Sequence, residues 1–330
     1  MSARAADLGQ AEAAPPAPEH HGPTSPWLYV WLFTVPLTWG FNFVSLKVLF
    51  RDFTVLGLLS GRYLVMVWAL FLTLWFFERD LSIQRKHLRY FITFALVAVG
   101  IYQVCFAAGV MYTLTAESSL LISTAPIWTM LITALIGWEQ LTWRRGLGTL
   151  VGFAGIACVI LGGLRAQQAP EHHLAGLGIM TLAAILWACY AIFSRPLLKV
   201  YSPLKVTAYI HLIGALLLIP LGAREALAVD WLHLQPVTWV CFFYFALLAG
   251  VYGFVTWYRG VAIIGSSRTM LFQYCVPVIA TVAAYFLLRE QPTLVQVAGI
   301  FITLVGLQLA VPGPGQKRAE RLTSVLASGE

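Results

Sequence analysis

The chain has 330 residues, of which 59% are hydrophobic and 11% are charged. An ordinary soluble domain has roughly 45 to 50% apolar and about 25% charged residues, so this composition excludes a soluble globule. The formal net charge is +7, but the basic residues lie between long apolar runs, where they orient membrane segments rather than bind nucleic acid. The main partner predicted by composition is therefore the lipid bilayer.

Residues 1–26 are rich in Ala, Pro and Gly and lack the apolar core of a signal peptide, which predicts a disordered cytoplasmic tail. Ten apolar runs follow, each close to the roughly 20 residues that cross a bilayer as a helix. They cover residues 27–50, 55–77, 88–110, 116–137, 146–164, 176–195, 204–221, 236–258, 268–288 and 293–311. The predicted fold is an all-α integral membrane protein with ten transmembrane helices, ending in a second cytoplasmic tail, residues 312–330.

Lys and Arg are concentrated in alternate joints between the runs. Fourteen lie on the side that includes the C-terminal tail, and five lie on the other side. Cytoplasmic loops carry the excess of basic residues, so we predict that both termini are cytoplasmic. The protein itself is predicted to lie in the inner membrane. The linker 165–175, with its paired His172 and His173, is then periplasmic.

The second half of the chain repeats the first at a constant offset of 151 residues. The matched pairs are Phe94 and Phe245, Ala95 and Ala246, Leu96 and Leu247, Gly109 and Gly260, Pro126 and Pro277, Glu139 and Glu290, Gln140 and Gln291, Thr142 and Thr293, Gly148 and Gly299, and Gly155 and Gly306. Each repeat holds five helices, an odd number, so the second repeat enters the membrane from the opposite side. This predicts two inverted repeats, residues 27–164 and 176–311.

Inverted repeats are typical of carriers that work by alternating access, with the binding site near the midplane between the halves. Pro126 and Pro277 lie near the middle of the fourth and ninth runs. A proline removes one backbone hydrogen bond, so these two positions are candidate hinges. The alternative is that they only bend their helices, as prolines in membranes often do.

The first run contains Leu37, Thr38, Trp39, Gly40, Phe41, Asn42 and Phe43, and the sixth answers it with Ile185, Leu186, Trp187, Ala188, Cys189 and Tyr190. Together with the repeated Pro, Glu and Gly positions, this resembles the drug/metabolite transporter superfamily, EamA branch, over roughly residues 27–311. The resemblance implies ten helices in two inverted five-helix repeats and transport of amino acids or other metabolites. The family includes exporters and some uptake carriers, so the resemblance leaves the direction and the substrate open. Export is our leading expectation, with uptake as the alternative.

Polar and aromatic side chains inside the runs are costly in a membrane and usually face the interior or a cavity, so they are the candidates for a substrate site. For each of them, packing between helices is an equally good explanation. The candidates are Trp39, Asn42, Tyr102, Gln103, Trp187, Tyr190, Tyr252, Trp257 and Gln273.

Three ionisable residues lie inside or at the start of apolar runs: Arg62, Glu117 and His211. We consider all three as gate or coupling candidates, with Arg62 and Glu117 as a potential ion pair at the outer side. Snorkelling to the interface is the simpler expectation for three further basic residues, Lys47, Arg195 and Arg268. Glu139 and Glu290, in hairpin joints, are expected to be structural hydrogen-bond acceptors.

The sequence thus predicts a secondary transporter without a cofactor or a metal site. A membrane-embedded lipid-modifying enzyme is the distant alternative, but no cluster of His, Asp or Glu supports it. No carboxylate lies at the midplane, so we expect a neutral, zwitterionic or weakly anionic substrate, amino acids foremost, and at most loose proton coupling. Aromatic rings also hold cations, so cationic-drug efflux stays an alternative. A homodimer through the small-residue faces of the fifth and tenth helices is left open.

Overall fold

The computed structural model describes residues 26–137, 142–164, 171–264 and 272–310, and these ranges contain helices, turns and short loops without a strand. Ten segments cross the bundle: α1 (Pro26–Leu49), α2 (Val55–Glu78), α3 (Leu88–Ala95, Leu96–Ile101 and Tyr102–Tyr112), α4 (Thr115–Ile122 and Ala125–Leu135), α5 (Trp143–Leu164), α6 (His173–Phe193), α7 (Pro203–Ala228), α8 (Pro236–Phe243, Tyr244–Tyr252 and Gly253–Ile264), α9 (Cys275–Leu287) and α10 (Leu294–Ala310). Segments α1 to α8 are each long and apolar enough to span a membrane, and α9 and α10 are shorter apolar helices. The predicted all-α membrane fold is confirmed.

The largest difference from the predicted runs is at the end of α7, which continues to Ala228 instead of ending at residue 221. The extra turns contain Arg224 and Glu225, whose charges suggested a loop. Glu225 instead accepts a hydrogen bond from the backbone N–H of Gly57 at 3.3 Å, and this contact with α2 supports the longer helix.

Both central prolines follow an interruption of their helix. Segment α4 breaks at Ser123 and Thr124, and Pro126 lies in the first turn of the helix that follows. In α9 a turn at Tyr274 precedes Pro277 in the same way. The first turn of a helix tolerates proline because its N–H groups have no partner within the helix. The two prolines therefore begin half-helices rather than kink continuous ones.

The helices pack in a pattern that is unchanged when the two halves are exchanged. Segment α5 packs along α10, and α2 packs along α7. Segment α1 packs against α8 and α9 in the way that α6 packs against α3 and α4. This pattern is what a two-fold relation between the repeats requires, and it places the first half and the second half face to face.

Segments α5 and α10 approach each other closely through glycine. A Cβ atom built on Gly155 would lie 2.7 Å from the carbonyl oxygen of Gly299, and one built on Gly299 would lie 2.7 Å from the carbonyl oxygen of Gly155. These small-residue faces therefore pack on each other within one chain, and the homodimer stays a prediction.

Segments α2 and α7 cap each other reciprocally. Thr54 caps the start of α2 and donates its hydroxyl hydrogen to Glu225 near the end of α7. Ser202 caps the start of α7 and donates to Glu78, the last residue of α2, at 2.7 Å. The two helices run antiparallel, so the same interaction occurs once at each end of the pair. We call the two ends of the bundle the α1–α2 end and the α2–α3 end, after the loops they contain.

Candidate functional site

A cavity lies between the two halves, next to the breaks in α4 and α9. Its empty space is about 620 Å³, counting the part that is open to solvent. Segments α1, α2, α3, α4, α6, α8 and α9 all contribute to its wall. The lining residues are Trp39, Asn42, Phe43, Arg62, Tyr102, Gln103, Phe106, Ile122, Ser123, Trp187, Phe245, Ala249, Phe254, Gln273 and Val276.

One side of the cavity is a stack of aromatic rings that joins α3 to α6. The ring of Trp187 lies between those of Tyr102 and Tyr190, with centroid distances of 5.3 and 4.9 Å. Trp39 of α1 meets Trp187 edge-on at 6.5 Å. Such offset and edge-to-face pairs hold their rings in fixed orientations. The cavity therefore offers a rigid aromatic surface to a ligand.

The helices beside this surface contain π-helical turns at matching positions of the two repeats, Leu96–Ile101 in α3 and Tyr244–Tyr252 in α8. Trp39 donates its indole N–H to the carbonyl oxygen of Ala249, inside the second of these turns, at 3.1 Å. Short π-helical stretches within α-helices are frequent at functional sites. Here one of them fixes a tryptophan on the cavity wall.

Six of the nine predicted site residues line the cavity: Trp39, Asn42, Tyr102, Gln103, Trp187 and Gln273. The other three do not. Tyr190 and Trp257 pack behind the wall against Trp187 and Trp39, and Tyr252 forms a hydrogen bond with Thr34 at 2.6 Å. Substrate contact by the six lining residues stays a prediction.

Sequence reasoning missed most of the apolar lining. The missed aromatic residues are Phe43, Phe106, Phe245 and Phe254. A phenylalanine inside an apolar run gives no signal that separates a cavity wall from a packed core. Ser123 was also missed, although its place just before Pro126 marks it as part of the helix break.

Arg62 lies in the cavity wall with 2% of its surface exposed, and its Nη1 donates to Oε1 of Gln103 at 3.0 Å. Its Cζ atom lies 3.8 Å from the centre of the Phe245 ring. Glu117 has different partners. The predicted ion pair between Arg62 and Glu117 is therefore wrong for this conformation.

Glu117 and His173 form a buried pair at the α1–α2 end. Oε2 of Glu117 accepts from Nε2 of His173 at 2.6 Å and from the N–H of Leu114, at the start of α4, at 3.0 Å. The sequence placed His173 in an exposed linker, but it begins α6 with only 7% of its surface exposed. The buried carboxylate accounts for the difference, because it supplies a partner for the imidazole.

Two further contacts close the same end. Glu290 accepts from both the backbone N–H and the hydroxyl of Thr115, at 2.9 and 2.8 Å. Lys47 donates to the carbonyl oxygen of Thr113 rather than snorkelling to the interface as expected. We call the contacts made by Lys47, Thr115, Glu117, His173 and Glu290 the α1–α2 latch.

Glu290 thus acts as the structural acceptor that the sequence predicted. Its counterpart Glu139 and the basic Arg268 lie outside the described residues, and the side chain of Arg195 is not described either.

His211 does not line the cavity. Its Nδ1–H donates to the carbonyl oxygen of Thr207 at 2.8 Å, and its ring packs between those of Tyr63 and Phe254. These contacts give it a structural role in the interface between α2 and α7, and its role as a coupling residue remains a prediction.

The α2–α3 end is held by polar contacts between the α2–α3 loop and the start of α7. Nζ of Lys205 lies 2.6 Å from Oδ2 of Asp80, and the hydroxyl of Tyr201 accepts from the backbone N–H of Gln84 at 2.9 Å. The hydrogen bond from Lys205 has the largest effect on the pKa of Asp80, and hydrogen bonds from Ser82 add to it. Together they hold this pKa well below its usual range. The Asp80 carboxyl group is therefore charged throughout the physiological pH range.

The ten-helix, two-repeat fold with a cavity between its halves defines a class of membrane transporters. In the described ranges, no group of three or more His, Cys, Asp or Glu side chains is arranged to hold a metal ion. The chain belongs to the EamA-like transporter family, whose model matches residues 26–161 and 174–311. This confirms the resemblance to the drug/metabolite transporter superfamily.

Relatives with transporter names agree with this assignment, and a solved structure shares the fold. The chain is 27% identical over 284 residues to a "Probable terminal-alkyne amino-acid exporter" of Streptantibioticus cattleyicolor, covering 85% of this chain and 92% of that protein. It is 25% identical over 299 residues to a "Probable amino-acid metabolite efflux pump" of Salmonella typhimurium, covering 88% and 96%. A solved structure described as "Crystal structure of protein" superposes with a TM-score of 0.60 at 18% identity, covering 86% of this chain and 98% of that chain. That likeness shows the fold alone.

Proposed function

We propose that this protein carries a small neutral, zwitterionic or weakly anionic metabolite, amino acids foremost, across the cytoplasmic membrane by alternating access, in the direction of export. The observation that carries the proposal is the cavity between the two repeats, lined by aromatic rings and amides. Ligand sites in such carriers lie between the repeats, where helices are interrupted. The two described interruptions, before Pro126 and Pro277, both adjoin this cavity.

The latch at the α1–α2 end supports alternating access. It joins α4 to α6 through Glu117 and His173, and α4 to the α9–α10 loop through Glu290. To open that end, these contacts must break, and half-helices that begin at Pro126 and Pro277 can move without bending a continuous helix. We therefore propose Pro126 and Pro277 as the hinges of this movement.

The chemistry of the wall supports the substrate class. Its rings provide stacking surface, and the side chains of Asn42, Gln103 and Gln273 provide amide donors and acceptors. The described lining residues include no Asp or Glu that could serve as the counter-ion of an organic cation. The amino-acid exporter and efflux pump among the relatives also support this substrate class and direction.

Counterflow in proteoliposomes tests the proposal. Liposomes that contain the purified protein and are loaded with an unlabelled neutral amino acid should accumulate the labelled form, and protein-free liposomes should not. Counterflow of quaternary ammonium compounds of similar size in its place would favour cationic-drug efflux. Chemical turnover of a lipid without any flux would favour the membrane enzyme. Efflux from preloaded cells, compared with uptake, decides the direction.

The topology also gives a direct prediction. If both termini are cytoplasmic, the linker 165–175 and the α1–α2 end face the periplasm. A cysteine at His172, whose side chain is 68% exposed, should react with an impermeant thiol reagent in intact cells after the native cysteines are removed. A cysteine at Lys86, exposed on the α2–α3 loop, should be protected. The reverse labelling would invert the topology.

A further inference from the structure

We propose that Arg62 binds a carboxylate group of the transported substrate, which restricts the carrier to carboxylates such as amino acids. This inference rests on the proposed transport function and names the group that its cavity recognises. The observation behind it is that Arg62 is a buried cation on the cavity wall whose hydrogen-bond partner among the described residues is a neutral amide.

The charge of Arg62 has no counter-ion in the part of the chain that the structure describes. No Asp or Glu side chain of those residues lies within salt-bridge distance of it, and its Nε–H is buried without a hydrogen-bond partner. An unpaired buried charge costs several kcal/mol, so intramembrane arginines normally have a partner or a functional reason to lack one. A ligand carboxylate would supply the missing partner.

The described contacts of Arg62 leave most of its N–H donors without a partner. Cζ lies 3.8 Å from the centre of the Phe245 ring, and Nη1 donates to Gln103 at 3.0 Å. Among the described residues, this hydrogen bond uses one of the five N–H donors of the guanidinium. A planar carboxylate binds best to two parallel N–H groups, which a guanidinium can present.

A second orphan atom on the same wall suits an α-amino acid. Oδ1 of Asn42 is buried without a hydrogen-bond partner, and Asn42 lines the cavity with Arg62. A carbonyl oxygen accepts from an ammonium group. The wall thus provides a cation for a carboxylate and an acceptor for an amine, with the rings of Tyr102 and Trp187 nearby for an apolar side chain.

The other acids near the bundle ends do not fill this role. Glu117 is engaged with His173 and the start of α4, and Glu290 is engaged with Thr115. Both belong to the latch and bind partners other than Arg62. Arg62, in contrast, lines the cavity where a substrate would rest.

The test compares matched ligands in proteoliposomes that carry out counterflow. L-Phenylalanine, L-leucine, 3-phenylpropionate, phenethylamine and L-phenylalanine methyl ester are offered as competitors to the wild-type carrier. The acids should compete, and the amine and the ester, which lack a free carboxylate, should compete at least about 30-fold less well, since charge-assisted bidentate bonds are lost. Equal competition by amine and acid would overturn the inference while leaving transport intact.

Variants then assign the preference to Arg62. Arg62→Gln should raise the concentration needed for half-maximal competition by the acids at least about 30-fold and abolish the difference between acid and ester. Arg62→Lys should retain part of the preference, because it keeps the charge without the planar fork. Arg51→Gln, an exposed arginine at the same end of the bundle, serves as the control and should behave as wild type.

Three outcomes separate the remaining explanations. An unchanged acid preference in Arg62→Gln, in a protein with the wild-type thermal midpoint, would show that another residue binds the carboxylate. Competition by sodium phosphate or chloride as strong as that by the acids would make the site one for inorganic anions and overturn the inference. Absence of flux for every amino acid on the panel would overturn the proposed substrate class and this inference together.

Discussion

Replacing Gly155 by leucine is expected to prevent the chain from forming a stable, monodisperse protein. Gly155 and Gly299 are at the point where α5 and α10 touch through their backbones, and any side chain there would meet a backbone carbonyl at 2.7 Å. Backbone atoms cannot move aside as a flexible side chain can. Overpacking in a core typically costs 1 to 3 kcal/mol, and four added carbon atoms at a backbone contact place this variant at the upper end of that range or beyond.

Gly146 offers the matched control for that experiment. It lies on the same helix, and a Cβ atom built on it meets nothing within 4 Å. Gly146→Leu should therefore give the wild-type elution profile and thermal midpoint in detergent, whereas Gly155→Leu should give aggregate or no purified protein. A monodisperse Gly155→Leu variant with a normal midpoint would show that the α5–α10 contact is not needed for folding.

The second large effect is expected from Glu290→Ala, which removes two hydrogen bonds of the α1–α2 latch at once. Hydrogen bonds to a charged acceptor contribute about 1.5 to 3 kcal/mol each when they are buried. Glu290 is only half-buried, so we expect about 2 kcal/mol in total, which shifts the ratio of open to closed states about 30-fold. The equilibrium should move toward the state that is open at the α1–α2 end.

Thiol labelling measures this shift. A cysteine at Ser123, which lines the cavity, is placed in a chain without its native cysteines, and an impermeant reagent is added from the periplasmic side. Glu290→Ala should raise the labelling rate by up to about 30-fold. Glu171→Ala, which removes an exposed glutamate of the same end, should leave the rate unchanged. If both variants label at the wild-type rate, Glu290 does not hold the closed state.

Much of the fold could be predicted because a membrane leaves few solutions. Length, hydropathy and the constant offset between the repeats gave ten helices in two inverted halves. The break in α4 was harder to locate. Pro126 indicated an irregularity, but whether a proline bends a helix or begins a new one depends on what satisfies the preceding carbonyls. The hydroxyls of Ser123 and Thr124 do so here, donating to Ser119 and Leu121.

The site was predicted less completely because its members depend on helix rotation. Trp39 and Tyr252 both looked like cavity residues, yet only Trp39 lines the cavity, since α8 contains a π-helical turn that changes which of its residues face inward. Pairing was harder still. Arg62 and Glu117 have opposite charges and were both predicted toward the outer side. Whether they pair with each other or with Gln103 and His173 depends on distances across four helices.

The reciprocal caps of α2 and α7 have a consequence for the energetics of a carrier with two interchangeable states. Thr54 with Glu225 and Ser202 with Glu78 are the same bond, made once toward each surface of the membrane. If the states exchange by the two-fold relation of the repeats, each bond becomes the image of the other, and their combined energy is equal in both states. The α2–α7 pair then stabilises both states equally. Removing both bonds together would weaken the whole molecule without biasing it toward either side, while the bias itself is left to the latch around α4.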